Sequence, residues 1–115
     1  MNANPKTTMT VAHCETMAEV RSHIDGLDEQ IVALLAERSG YVKQAARIKN
    51  NPDQIVDQPR IDAIVQRMGE RMAAHGGPAP VAQATWRAMI AAFIEFERVE
   101  FVQRRQHQAS TGDAA

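Results

Sequence analysis

The 115-residue chain carries thirteen basic and fourteen acidic residues, which gives a formal net charge of −1. This balance argues against a general nucleic-acid or membrane-surface binder, because such proteins usually show a basic excess. Cys14 is the only cysteine, so no disulfide can form within the chain and a reducing compartment is compatible. No run approaches the ~18 apolar residues of a membrane span, and residues 1–15 lack the apolar segment of a secretion signal. We expect one soluble, cytoplasmic domain.

A flexible arm is expected before the first helix. Residues 1–15 are polar and contain Pro5, so they should be poorly ordered. Thr16 begins the predicted helix, because Thr16 and Glu19 fit a capping box in which the hydroxyl and the carboxylate satisfy free backbone donors. The scattered histidines and Cys14 lack the spacing of zinc ligands, so no metal site is predicted.

A long amphipathic helix is predicted from Thr16 to Lys49. Apolar residues recur at alternating spacings of three and four, at Met17, Val20, Ile24, Leu27, Ile31 and Leu34. This stripe passes Gly26 and Gly40 without a change of phase, and Asn50-Asn51-Pro52 then ends the helix. Such a helix is about 50 Å long, whereas a compact domain of this size has a radius of gyration of only about 13 Å. A second copy packing along the helix would cover it, so we expect an intertwined dimer.

Two further helices follow. Asp57 is a plausible N-cap for the second helix, with Pro59 in its first turn, and Gly76-Gly77-Pro78 ends it. The third helix is expected from about Pro80 to about Arg105. Residues 106–115 are polar and small and are expected to form a disordered tail. The sequence therefore predicts an all-α fold with three helices over residues 16–105.

Three charged residues interrupt the apolar faces of these helices. Arg38 and Lys49 continue the stripe of the first helix, and they point the same way because eleven residues make close to three turns. Glu97 interrupts the stripe of the third helix. An unpaired buried charge is very costly, so all three need partners. They either form an ion-pair network that fixes helix register or bind a ligand, and the spacing alone leaves both interpretations open.

Arg21 lies on another side of the first helix. It precedes Arg38 by seventeen residues, which places it roughly 100° away around the helix, so the two cannot serve one pocket on the same helix. By itself, Arg21 is typical of a solvated surface residue. In a dimer with crossed first helices, it would reach the pocket of the partner chain.

The first helix resembles that of a known enzyme family. The matching residues are Val20-Arg21, Ile24, Leu27-Asp28-Glu29, Leu34-Leu35-Ala36-Glu37-Arg38 and Lys49. This run, with its spacing from Arg21 to Arg38 to Lys49, resembles the all-α chorismate mutases (chorismate mutase type II), and the resemblance covers residues 16–105. The segment 41–49 is similar to the isochorismate-pyruvate lyase branch of the same family.

The resemblance implies a homodimer with two equivalent active sites and no cofactor or metal. Each site would take Arg38 and Lys49 from one chain and Arg21 from its partner. Arg21 and Arg38 would each bind one carboxylate of the substrate, because a guanidinium fork matches carboxylate geometry. Lys49 would stabilise negative charge on the breaking ether oxygen of a pericyclic reaction. Glu97 occupies the position of the family's second ether-oxygen donor, and it must be protonated to donate.

Three functions are compatible with these residues. The first is chorismate mutase, which converts chorismate to prephenate. The second is isochorismate-pyruvate lyase, which forms salicylate and pyruvate with the same cationic clamp. The third, from another class, is a non-catalytic helical dimer that binds a partner protein, in which Glu97 bridges Arg38 or Lys49 as a structural ion pair.

Overall fold

The computed structural model of the protein describes residues 10–114 and is all-helical. α1 spans Met17–Ile48, α2 spans Gln58–Ala74 and α3 spans Ala79–Ala114, with a short 3₁₀ helix at Pro52–Gln54. Residues 10–114 contain no strand. The predicted all-α fold with three helices is therefore confirmed. No helix in this part of the chain is long and apolar enough to cross a membrane.

The chain divides into two compact units between Arg38 and Ser39. The first unit contains α1 as far as Arg38. The second unit contains the remainder of α1, the 3₁₀ helix, α2 and α3. Of the site residues predicted from the sequence, Arg21 and Arg38 belong to the first unit, whereas Lys49 and Glu97 belong to the second.

The start of α1 is fixed by side chains near the helix terminus. The backbone N–H of Glu19 donates to the Thr16 hydroxyl oxygen at 3.2 Å, and the Glu19 carboxylate accepts from the backbone N–H of Thr16 at 3.0 Å. The same carboxylate oxygen also accepts from the backbone N–H of Glu15 at 2.8 Å. The predicted capping box is confirmed, and it satisfies donors that the helix leaves free.

α1 runs through both of its glycines without a break. A Cβ added at Gly26 or Gly40 would have no atom within 4 Å, so no close packing requires glycine at either position in the chain as described. The prediction of one uninterrupted helix is confirmed. Most of its apolar stripe is exposed, with Val20 half-buried and the others between 50% and 65% exposed, namely Met17, Ile24, Leu27, Ile31 and Leu34.

The segment after α1 has more structure than the sequence predicts. The sequence predicts only that the first helix ends at Asn50-Asn51-Pro52, and a 3₁₀ helix forms at Pro52–Gln54. Asn51 caps this turn by accepting from the backbone N–H of Asp53 at 2.9 Å, and the Gln54 side chain accepts from the backbone N–H of Asn51 at 3.2 Å. This small capping box stabilises a turn that periodicity cannot reveal in three residues.

α2 and α3 pack against each other across a short connection. The predicted N-cap of α2 is confirmed, because the Asp57 carboxylate accepts from the backbone N–H of Arg60 at 3.0 Å. At the other end, Gly76 has a φ of 84°, and the backbone N–H of Gly77 donates to the carbonyl of Met72 at 2.9 Å. This Schellman arrangement uses the left-handed conformation that glycine adopts without strain, and it turns the chain from α2 into α3.

α3 is longer than predicted. The sequence predicts an end near Arg105, but the helix continues to Ala114. Residues 106–109 are Gln, His, Gln and Ala, and no glycine or proline interrupts the helix before Gly112, so local preference favours continuation. The disorder expected for residues 106–115 stays a prediction. Of the flexible arm expected at residues 1–15, residues 1–9 lie outside the described part of the chain.

A small apolar core lies where the end of α1 meets α3. Ala46 is fully buried, and it clusters with Ile55 and Phe101, against which the partly buried Ile94 packs. Ile55 directly follows the 3₁₀ helix, so the core ties three elements of the second unit together. Lys49 is one turn beyond Ala46, and this core therefore sets the position of the charged residues described next.

Candidate active site

Lys49 and Glu97 contact each other. Lys49 directly follows the last residue of α1, and Glu97 lies on α3. The Nζ atom of Lys49 is 2.7 Å from Oε2 of Glu97, and the Glu97 side chain is only 9% exposed. Glu97 is therefore buried, in agreement with its place on the apolar stripe of the third helix. Of the residues predicted to form the site, the structure brings these two together.

Lys49 compensates the burial of Glu97. Oε2 of Glu97 is buried, and the Lys49 ammonium lies within hydrogen-bonding distance of it, at 2.7 Å. A buried carboxylate is costly without a compensating charge, and the ammonium supplies one. The charge that interrupts the apolar face of α3 therefore has its partner at the end of α1.

Arg105 binds the end of α1 from α3. Its guanidinium donates to the carbonyl oxygen of Ala46 at 2.8 Å and also to the carbonyl oxygen of Lys49. The last carbonyls of a helix have no partner within the helix, so these bonds satisfy acceptors at the end of α1. The guanidinium carbon also lies 3.6 Å from the centre of the Phe101 ring, a cation–π distance.

Sequence reasoning missed Arg105 as part of this region. The sequence interpretation uses it only as the approximate end of the third helix. A signal was available, since Glu97, Phe101 and Arg105 are spaced by four and so lie along one face of α3. What the spacing cannot show is which backbone carbonyls that face meets.

Arg21 and Arg38 lie on the part of α1 that belongs to the first unit. Arg21 is exposed, and Arg38 is half-buried. Arg21 near the helix start agrees with the sequence interpretation of a surface residue in a single chain. The place of both arginines beside Lys49 and Glu97 stays a prediction.

Two cavities have linings that include neither Lys49 nor Glu97. One, of about 840 Å³, lies in the first unit between residues 10–14 and the stretch of α1 from Val20 to Gln30. The other, of about 610 Å³, lies between α2 and α3, where Gly69 faces Gln83. In residues 10–114, no group of three or more His, Cys, Asp or Glu side chains could hold a metal ion.

The fold and the paired charges define a small helical protein with a buried lysine–glutamate contact where the end of α1 meets α3. The chain belongs to the chorismate mutase type II family, whose family model matches residues 20–98. This match includes Arg21, Arg38, Lys49 and Glu97, whereas Arg105 lies beyond it. Comparison with the curated proteins found no match.

Membership of the family confirms the resemblance drawn from the first helix. It supports chorismate mutase activity in general, and it implies a place in the shikimate pathway and a small-molecule substrate. The similarity of residues 41–49 to the isochorismate-pyruvate lyase branch stays a prediction.

Proposed function

We propose that the protein is a chorismate mutase that rearranges chorismate to prephenate in a site containing Arg21, Arg38, Lys49 and Glu97. One observation carries the proposal. The two residues expected to act on the ether oxygen are Lys49, which directly follows α1, and Glu97 on α3. Their charged groups are 2.7 Å apart although the residues are far apart in the sequence. Both fall inside the region that matches the family.

The proposed mechanism relies on position and charge. Arg21 and Arg38 each bind one carboxylate of the dianionic substrate through a guanidinium fork. They hold the compact conformer in which the new carbon–carbon bond can form while the ether bond breaks. Negative charge then develops on the ether oxygen, and the Lys49 ammonium stabilises it. The reaction is pericyclic, so no nucleophile from the protein takes part.

Glu97 has a second task in this mechanism. A protonated carboxyl group donates a hydrogen bond to the ether oxygen, whereas an ionised one repels the charge that develops there. The burial of Glu97 within 2.7 Å of the Lys49 ammonium supports a place for both groups beside the ether oxygen.

A homodimer completes the proposed site. Five apolar residues of the α1 stripe are at least half exposed in the single chain, and a contiguous apolar surface of this kind usually marks an interface. A second copy of α1, crossing the first, would cover the stripe and deliver its Arg21 to the site of the partner. This arrangement gives the exposed Arg21 a function that a single chain does not offer.

Isochorismate-pyruvate lyase is the second candidate, and the local similarity of residues 41–49 to that branch favours it. The two reactions share the cationic clamp, so the candidate residues do not discriminate between them. Incubation of the purified protein with each substrate, followed by detection of prephenate or of salicylate, separates them. Salicylate without prephenate would overturn the proposal.

A non-catalytic, partner-binding dimer remains the alternative from another class, because the Lys49–Glu97 contact also fits a structural ion pair. Arg38→Ala distinguishes the two. An enzyme loses turnover and keeps its thermal stability, whereas a protein that uses Arg38 structurally loses stability. The measurements are initial rates with chorismate and thermal unfolding followed by circular dichroism.

A further inference from the structure

We propose that Arg105 is a positioning residue that holds Lys49 in place for catalysis. The inference rests on the proposed function, because Lys49 must be the group that acts on the substrate. It adds a residue that lies outside the region matching the family, which ends at residue 98.

Lys49 is held at both of its ends by α3. Its side-chain ammonium lies 2.7 Å from Glu97 Oε2, and its main-chain carbonyl accepts a hydrogen bond from Arg105. Phe101 lies midway between Glu97 and Arg105 in the sequence and belongs to the buried core with Ala46. Glu97, Phe101 and Arg105 are spaced by four residues, so all three contact the end of α1 from the same face of α3.

The bond to Lys49 requires the geometry of an arginine. The Arg105 guanidinium reaches the carbonyl of Ala46 at 2.8 Å with Nη1 and the carbonyl of Lys49 with Nη2. A planar guanidinium presents several donors in a fixed fork, whereas a lysine ammonium is a point charge without that geometry. The Phe101 ring, 3.6 Å from the guanidinium carbon, holds the plane in position.

Loss of this clamp would affect Lys49 more than the substrate-binding arginines. Lys49 follows the last residue of α1, where a helix has few restraints of its own. Without the clamp, its ammonium would be less well placed for the ether oxygen. Charge on that oxygen develops only in the transition state, so the defect should appear in kcat and not in KM.

Arg105→Lys is the principal test, with Arg98→Lys as its matched control on the same helix. Arg98 is exposed and pairs with Glu95 at 3.6 Å. Arg105→Lys is expected to lower kcat by roughly ten- to a hundredfold, because small misplacements of reacting groups carry penalties of that order. Its KM should stay within about twofold of wild type, and Arg98→Lys should change neither constant.

A double-mutant cycle shows whether Arg105 acts through Lys49. In a Lys49→Ala background, assayed at high enzyme concentration, Arg105→Lys should have no further effect on kcat. An equal loss in both backgrounds would overturn the proposal. So would a variant that melts earlier but keeps the wild-type kcat per folded molecule, because that is the behaviour of a purely structural contact. If Arg105→Lys does not fold, Phe101→Leu removes the supporting ring and should give the same kcat loss.

A readout without substrate separates this inference from the proposed function. The side-chain ammonium signal of Lys49 in nitrogen NMR spectra should shift in Arg105→Lys and stay in place in Arg98→Lys. Absence of mutase activity in the wild type would refute the proposed function. The Lys49 signal would still show whether Arg105 positions Lys49. An unchanged signal in Arg105→Lys would show that Arg105 does not position Lys49.

Discussion

Glu97 and Arg105 lie eight residues apart on α3 and bind opposite ends of the same residue, the ammonium and the main-chain carbonyl of Lys49. The end of α1 is therefore fixed by another helix. A side chain placed in this way has little freedom before any ligand arrives, and such preorganisation is what electrostatic stabilisation of a transition state requires.

Glu97→Gln should keep or raise turnover. An amide donates a hydrogen bond to the ether oxygen without first binding a proton, and its oxygen can still accept from Lys49. Glu97→Leu removes both functions and should lower kcat. The measurement is kcat with chorismate for each variant. Glu95→Gln is the control, because Glu95 is exposed on the same helix and should leave kcat unchanged. The assignment of Glu97 is wrong if Glu97→Leu turns over as fast as the wild type.

Mixing two inactive variants should restore activity if the site is shared between chains. Arg21→Ala and Arg38→Ala are each expected to be nearly inactive. When the two chains are refolded together, half of the dimers are mixed, and each of these contains one intact site. The mixture should therefore show about a quarter of the wild-type specific activity.

The control for this mixture is a pair of variants that each lack a residue which a chain supplies to its own site. Arg38→Ala mixed with Lys49→Ala leaves no site intact in any combination, so no activity should return. Recovery in the control but not in the first mixture would contradict the proposed exchange of Arg21.

Leu27→Lys should weaken the proposed dimer. Leu27 lies on the apolar stripe of α1 and is 57% exposed in the single chain. Burying a leucine side chain contributes about 1.5–3 kcal/mol, and a charge at the interface adds a desolvation cost. Sedimentation over a range of concentrations should show more monomer than in the wild type. Ala33→Lys, on the opposite side of α1, is the control, and dissociation by both variants equally would argue against the stripe as the interface.

Thr16→Ala should change the titration of Glu19. Hydrogen bonds from the backbone of Glu15 and then of Thr16, together with the Thr16 hydroxyl, lower the pKa of the Glu19 carboxyl group. The backbone bonds remain in the variant, so the midpoint should rise only in part, as carbon NMR of the carboxyl group would measure. A pKa that is lower in the folded chain means that the capping contributes stability above the unfolded value. This contribution is lost as pH falls through the folded value.

An unchanged titration of Glu19 in Thr16→Ala would show that the hydroxyl contributes nothing to the cap. Hydrogen exchange at the start of α1 gives a second measurement, because protection of those amides should decline at acid pH before protection elsewhere in the helix.

Much of the fold follows from local signals in the sequence. Two helix starts follow from capping residues, Thr16 with Glu19 for α1 and Asp57 for α2. The apolar stripe of α1 predicts one helix through its glycines, and Asn50-Asn51-Pro52 predicts its end. Glu97 stood out because a carboxylate on an apolar face needs a partner. The sequence left that partner open between Arg38, Lys49 and a ligand, and in the structure the side chain contacts Lys49.

The role of Arg105 could not be predicted from the sequence, because it depends on contacts between helices. The bonds of Arg105 to the end of α1 join residues more than fifty positions apart, and no periodicity records them. The polar residues after Arg105 led to a predicted end of α3 near that residue, whereas the helix continues to Ala114. Gln106, Gln108 and Ala109 favour helix and account for its continuation past Arg105.

The position of Arg105 has a consequence for the length of the smallest active fragment. A chain cut after residue 98 would retain the whole family match and all four candidate residues of the proposed site. It would nevertheless lack the guanidinium that holds the carbonyls at the end of α1. On the proposed role of Arg105, the functional boundary of this protein lies at least seven residues beyond the end of the family match at residue 98.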